Sequence, residues 1–169
     1  MKRIGLLGGS FDPPHKGHVY ISLEAKKIFQ LNEIWWLVTP QNPLKISKPA
    51  TYNERVTNCK KISKGKPISI KEIEKKINSK YTYQTLYYLQ NHYFNIKFFW
   101  LMGADNLINF HKWHKWKKIP KIAKLCIFNR LNYSTKALNS LASKKLQKED
   151  WIYIKSKNVN ISSSKIRKI

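Results

Sequence analysis

Acidic side chains are scarce in this 169-residue chain: nine Asp and Glu stand against thirty-three Lys and Arg, a formal net charge of +24. So few carboxylates leave little from which to build a protein-held site for a hard divalent cation, and no cluster of them is visible. Cysteine is also rare. Cys59 and Cys126 lie far apart with no CxxC or Cys/His ligand spacing, so neither a disulfide framework nor a zinc site is expected, and both read as buried free thiols. There is no stretch of about eighteen uninterrupted apolar residues, which argues against a membrane span. The apolar opening Ile4 to Leu7 is too short for a signal-peptide core and runs into Gly8 and Gly9, so a soluble, cytoplasmic protein is expected. GxxxxGK[ST] and GxGxxG are missing too, which removes support from kinase, GTPase and dinucleotide-dehydrogenase readings.

The positive charge itself raises the reading of a nucleic-acid-binding module. Its distribution points elsewhere. Lysine runs from Lys2 to Lys168, mixed with Asn and Ile, whereas arginine, the better reader of bases and phosphates, occurs only at Arg3, Arg55, Arg130 and Arg167. This is a lysine bias on solvated faces, and no specific nucleic-acid partner is expected.

Apolar runs alternate with helical patterns, as in a parallel sheet with crossover helices. Strands are expected at Arg3 to Leu7, Glu33 to Thr39, Pro67 to Ile73, Lys97 to Met102, Leu125 to Phe128 and Trp151 to Ile154. Helices are expected at His18 to Phe29, Tyr52 to Ile62 and Thr82 to Tyr93, and within Ser134 to Gln147. Leu107 to Ile119 carries Phe110, Trp113 and Trp116 at helical spacing, and Ser162 to Ser164 resemble N-cap residues of a short terminal helix. No repeat or linker interrupts the pattern. The expected fold is therefore an α/β, Rossmann-like doubly wound parallel sheet, with residues 1–169 forming one domain.

In such sheets ligands bind beyond the carboxyl ends of the strands. After the first strand comes Gly8-Gly9-Ser10-Phe11-Asp12-Pro13-Pro14-His15-Lys16-Gly17-His18. The two leading glycines let the backbone approach a phosphate or sugar, and Asp12-Pro13-Pro14 makes a stiff turn. His15 and His18 are three apart at a helix start and share one face of its first turn. Two roles are open to them: capping the helix, or donating hydrogen bonds to phosphate oxygens whose charge grows during nucleotidyl transfer, aided by the exposed amides of the helix N-terminus. Two histidines at this spacing, in a Gly-rich turn after a buried strand, favour the second.

The segment resembles the HxGH signature of the nucleotidyltransferase superfamily. A second superfamily element appears at Ile161-Ser162-Ser163-Ser164-Lys165-Ile166-Arg167, which resembles the ISSTxIR motif. The middle of the chain narrows the likeness. Gly103-Ala104-Asp105-Asn106-Leu107 with Phe110 and Trp113 is similar to the GxDxLxxFxxW segment of nicotinate-nucleotide adenylyltransferases. Tyr81 to Leu86 resembles their SYTxxTL stretch, Pro40 to Lys45 their PxxxPxK loop, and Phe128 to Arg130 their strand-end arginine.

The resemblance implies transfer of AMP from ATP to nicotinic acid mononucleotide, a step of NAD synthesis, with His15 and His18 as the catalytic pair. It implies an ATP site made by Gly8, Gly9, Ser10, Phe11, His15, His18, Gly103 and Asp105, the last facing the ribose region. Ile161, Ser163, Ser164 and Arg167 would hold the β- and γ-phosphates. On the acceptor side, Trp113 would stack on the pyridine, amides near Thr82 and His114 would hold the nicotinate carboxylate, and Lys45 with Arg130 would meet phosphate charge. Mg²⁺ is expected to arrive with ATP. Trp116 reads as core, and His92 and His111 as structural or surface residues. Family members usually continue past the arginine motif, while this sequence stops two residues after Arg167, so the terminal clamp is expected to fray. Phosphopantetheine and nicotinamide mononucleotide remain alternative acceptors, and the nucleic-acid-binding module a further reading from a different class.

Overall fold

The computed structural model describes residues 1–40 and 50–156. Six strands form one sheet: β1 (Lys2–Gly9), β2 (Glu33–Val38), β3 (Ile68–Lys71), β4 (Ile96–Gly103), β5 (Ala123–Phe128) and β6 (Trp151–Ile154). All neighbouring pairs are parallel, in the order β3-β2-β1-β4-β5-β6. A parallel sheet covered on both faces needs apolar side chains on both, which is why β2 and β4 read as nearly unbroken hydrophobic runs. The pleat sorts them. Trp35, Leu37, Phe98, Trp100, Met102, Leu125 and Ile127 belong to one core layer, and Ile34, Trp36, Val38, Phe99, Leu101, Cys126 and Phe128 to the other.

Helices α1 (Lys16–Ile28) and α2 (Tyr52–Ser63) cover the second layer through Ala25, Val56 and Cys59. The first is covered by α3 (Ile73–Lys76), α4 (Thr82–His92), α5 (Ala104–Asn109), α6 (Ser134–Leu138) and α7 (Leu141–Lys145), which contribute Ile73, Leu86, Leu89, Leu107, Ala137 and Ala142. Cys59 and Cys126 are fully buried free thiols in one layer, and burial pushes both up to about 12. Among the described residues no helix is long and apolar enough to cross a membrane.

Three expectations change in detail. The strand expected at Pro67 to Ile73 is only Ile68–Lys71, because Ile73 opens the short helix α3 and buries there. The helix expected within Ser134 to Gln147 is two, since Ser140 accepts from the Ser143 N–H at 3.2 Å and caps a fresh start at α7. The aromatic stretch Leu107 to Ile119 is not one helix. After α5 comes a 3₁₀ turn, Phe110–Lys112; Trp113 is then extended, Lys115 is left-handed at φ 50°, and a second 3₁₀ segment, Trp116–Lys121, contains Pro120. Trp116 packs against the core, edge-on to Phe110.

The glycines ending β1 do different jobs. A Cβ on Gly8 would lie 2.5 Å from Cη2 of the buried Trp100, whereas one on Gly9 would meet only the Phe11 ring at ordinary contact distance. Gly8→Ala is therefore expected to destabilise the fold by about 1–3 kcal/mol, while Gly9→Ala leaves the unfolding midpoint nearly unchanged. Urea denaturation of both variants checks this, and equal midpoints would contradict the packing argument.

Candidate active site

The order of the strands reverses between β1 and β4, the place where doubly wound sheets open a crevice. β1 leads out through Gly9 into the turn before α1, and β4 ends at Gly103, the N-cap of α5. The histidine pair sits at the first of these exits. His15 is the N-cap of α1: its Nδ1 accepts from the Gly17 N–H at 3.1 Å, and its own N–H donates to Nδ1 of His18, also at 3.1 Å. Their rings are 3.8 Å apart between centroids.

Capping and phosphate binding are thus not alternatives. With Nδ1 of each ring occupied as an acceptor, the ring N–H is on Nε2. Burial first, and the Arg130 charge second, lower His15 to about 4, so it is neutral near pH 7. Behind the pair, Phe11 is buried at φ 48°, stacked on Trp36 and close to the His18 ring. Any contact of Phe11 with a nucleotide comes from its main chain.

At the second exit, Asp105 in the first turn of α5 accepts from Arg130 Nη1 at 2.6 Å. This bond joins a residue expected on the ATP side to one expected on the acceptor side, and the electrostatic reach of Arg130 to His15 ties both to the first exit. Oδ1 of Asp105 is buried and accepts no hydrogen bond from the described residues. A Cβ on Gly103 would come within 2.5 Å of that oxygen, so glycine here makes room for the carboxylate.

Of the residues expected on the acceptor side, His114 lies against the start of α4. His114 stacks on Tyr81, with centroids 4.8 Å apart, and meets the Tyr83 ring edge-on, while the Lys115 ammonium lies 5.0 Å from the Tyr83 centroid. Thr82 opens α4 behind Tyr81, which supplies no side-chain cap, so the first amides of the helix have no such partner. Trp113 is half-buried, edge-on to Trp100 and packed beside Phe110. Lys45, Ile161, Ser163, Ser164 and Arg167 lie outside the described residues.

Two buried polar residues were missed by motif reading. Arg55 of α2, 2% exposed, donates to the carbonyls of Ser10, Thr39, Pro40 and Ala50 at 2.7–3.1 Å. Glu74 of α3, 6% exposed, is hydrogen-bonded by Thr39 and Thr85. The signal for Arg55 lay in arginine scarcity, since lysine cannot spread its donors over four carbonyls. Glu74 carried none, since it follows Ile73 and precedes Lys75 and Lys76 as a solvated charge would.

The chain is similar to several known proteins. The model of the family described as Cytidylyltransferase-like matches residues 6–169. A probable nicotinate-nucleotide adenylyltransferase of Pelagibacter ubique is 45% identical over 168 residues, covering 99% of this chain and 93% of that protein. A protein of the same name from a Ruegeria species is 52% identical over 110 residues, which span 65% of this chain and only 58% of the relative. The solved structure of Plasmodium falciparum nicotinic acid mononucleotide adenylyltransferase complexed with NaAD shares the fold, with a TM-score of 0.81 at 22% identity over 99% of this chain and 83% of that one.

The His15 value yields a test. Its folded pKa lies below the ordinary 6.5, so between the two the unfolded chain binds the proton first; this group's contribution to stability is complete above 6.5 and is lost as pH falls through about 4. NMR titration is expected to place His15 near about 4, and Arg130→Ala to raise it only part-way, because desolvation remains. An unchanged value in the variant would remove Arg130 from the site's electrostatics. With a histidine-bearing turn at the switch point, and this likeness over nearly its whole length, the chain belongs to the cytidylyltransferase-like family, alongside its nicotinate-nucleotide adenylyltransferases.

Proposed function

We propose that the protein is a nicotinate-nucleotide adenylyltransferase, which joins the AMP part of ATP to nicotinic acid mononucleotide and releases pyrophosphate. An oxygen of the acceptor 5′-phosphate attacks the α-phosphorus in line. The new P–O bond forms as the bond to the oxygen bridging the β-phosphate breaks, giving nicotinic acid adenine dinucleotide on the way to NAD. The observation that carries the chemistry is the pair of imidazoles at the start of α1, each accepting a main-chain N–H at Nδ1 and so carrying its ring proton on Nε2. The choice of acceptor draws its support from the Pelagibacter relative, which is named for this reaction.

In this reading no protein nucleophile is needed, since positioning and charge stabilisation do the work. His15 and His18 donate to the phosphate oxygens that gain charge, and the helix amides behind them add positive potential. Neutral His15 gives a donor without a competing proton transfer. Asp105, held by Arg130, has an acceptor oxygen left for a ribose hydroxyl. Trp113 offers an indole face to the pyridine, and the opening amides of α4 at Thr82, with the segment at His114, suit the nicotinate carboxylate.

Mg²⁺ comes with ATP in this proposal. Among the described residues no three His, Cys, Asp or Glu side chains gather to hold an ion, and Mg²⁺ carried by the triphosphate would offset phosphate charge there. Lysine-rich faces draw in the anionic substrates without a specific nucleic acid. A cytoplasmic location goes with this reading.

Pyrophosphate release with ATP and Mg²⁺ tests the proposal, with nicotinic acid mononucleotide, nicotinamide mononucleotide and phosphopantetheine compared at matched concentrations. A strong preference for the first is expected. A preference for either other acceptor overturns the acceptor assignment, and salt-sensitive RNA or DNA binding without pyrophosphate release overturns the enzyme. His18→Ala is expected to lower kcat by about a hundredfold or more, against a stability loss of about 1 kcal/mol from the lost capping bond. Near-normal turnover would refute the electrostatic role.

A further inference from the structure

A chain of buried polar groups runs from α3 to the start of α4. Oε1 of Glu74 lies 3.4 Å from Oγ1 of Thr85; that hydroxyl lies 2.9 Å from Oγ of Ser79, and Ser79 Oγ donates to the Tyr81 carbonyl at 3.1 Å. The Ser79 N–H also donates to the Glu74 carbonyl at 2.9 Å, fixing the two residues to each other through the main chain. Glu74, Ser79 and Thr85 are all buried, so none of the three exchanges these partners for bulk water.

The Thr85 hydroxyl donates to Glu74 and the Ser79 hydroxyl to the Tyr81 carbonyl, and the contact between the two hydroxyls joins the two ends. Burial pushes the Glu74 carboxyl up to about 7, while the Thr39 and Thr85 hydroxyls that donate to it pull the other way. The other end of the chain matters because the Tyr81 carbonyl and the Thr82 N–H belong to the same planar peptide.

We propose that Glu74 is a positioning residue for the acceptor: it accepts from Thr85, anchors the Glu74–Thr85–Ser79–Tyr81 chain, and so helps to hold the peptide that presents the Thr82 N–H. The inference rests on the reading that this N–H faces the acceptor carboxylate. Glu74 reaches the ATP side as well. Thr39 hydrogen-bonds it, and the Thr39 carbonyl shares the Arg55 guanidinium with the Ser10 carbonyl of the histidine turn.

The test measures KM for nicotinic acid mononucleotide, KM for ATP and kcat in full-length Glu74→Leu, Glu74→Gln and Ser79→Ala. Ser79→Ala removes one hydroxyl and keeps the variant set informative if Glu74→Leu fails to fold. Loss of the oriented peptide is expected to raise the acceptor KM about three- to tenfold in Glu74→Leu and Ser79→Ala, with the ATP KM and kcat changed by less than about twofold. Glu74→Gln, whose amide oxygen can still accept from Thr85, is expected to restore most of the loss. Equal rises in both KM values, a rise in neither, or a Gln variant as impaired as the Leu variant overturns the proposal. A wild-type enzyme that does not use nicotinic acid mononucleotide overturns the functional reading instead, so the two failures are distinguishable.

Discussion

The carboxyl edge of the sheet depends on one buried cation. Removing a guanidinium from water is costly unless its nitrogens find acceptors, and all three nitrogens of Arg55 do so, with main-chain carbonyls from three separate pieces of chain. Ser10 belongs to the histidine turn, Thr39 and Pro40 to the exit of β2, and Ala50 to the approach to α2. The Thr39 N–H in turn donates to the Gly9 carbonyl at 2.9 Å. Loops that would otherwise be independent are thereby set to a common geometry. The charge is fixed to the scaffold and sits just behind the place where phosphates are expected.

The histidine turn shows how folding and chemistry use the same bonds. A helix start needs acceptors for its first amides, and the two imidazoles supply them through Nδ1, which decides where the remaining ring proton sits. The same economy appears at β4. Gly103 lacks a side chain so that Asp105 can stand against it, and Arg130 holds the other carboxylate oxygen. Both exits of the switch point are thus prepared by local constraints before any ligand arrives, as electrostatic preorganisation requires.

Much of this was legible in the sequence, because strands buried on both faces announce themselves and the glycine- and histidine-bearing turn has few other uses. The six strands and the long helices α1, α2 and α4 follow from that pattern, whereas the nearness of Tyr81 to His114 accords with the family resemblance alone. What could not be read depends on three-dimensional neighbours. The demand for glycine at position 8 is made by Trp100 on β4, well over eighty positions away in the chain, as much as by any ligand. The break after Phe110 cannot be told from a continuous helix by spacing, since Trp113 and Trp116 keep helical periodicity while their backbone leaves it. Arg55 and Glu74 look like solvated charges in a lysine-rich chain, and only their burial shows that they organise the loops.

The two cysteines have a practical consequence. Both thiols are sealed within the layer that α1 and α2 cover, and both are held in the unreactive protonated form. A thiol-modifying reagent therefore has no target until that layer opens, and the rate of its uptake is a chemical clock for the opening. Because Cys59 sits on a helix and Cys126 on a strand, the order in which they are modified would separate the peeling away of α2 from the unravelling of the sheet beneath it.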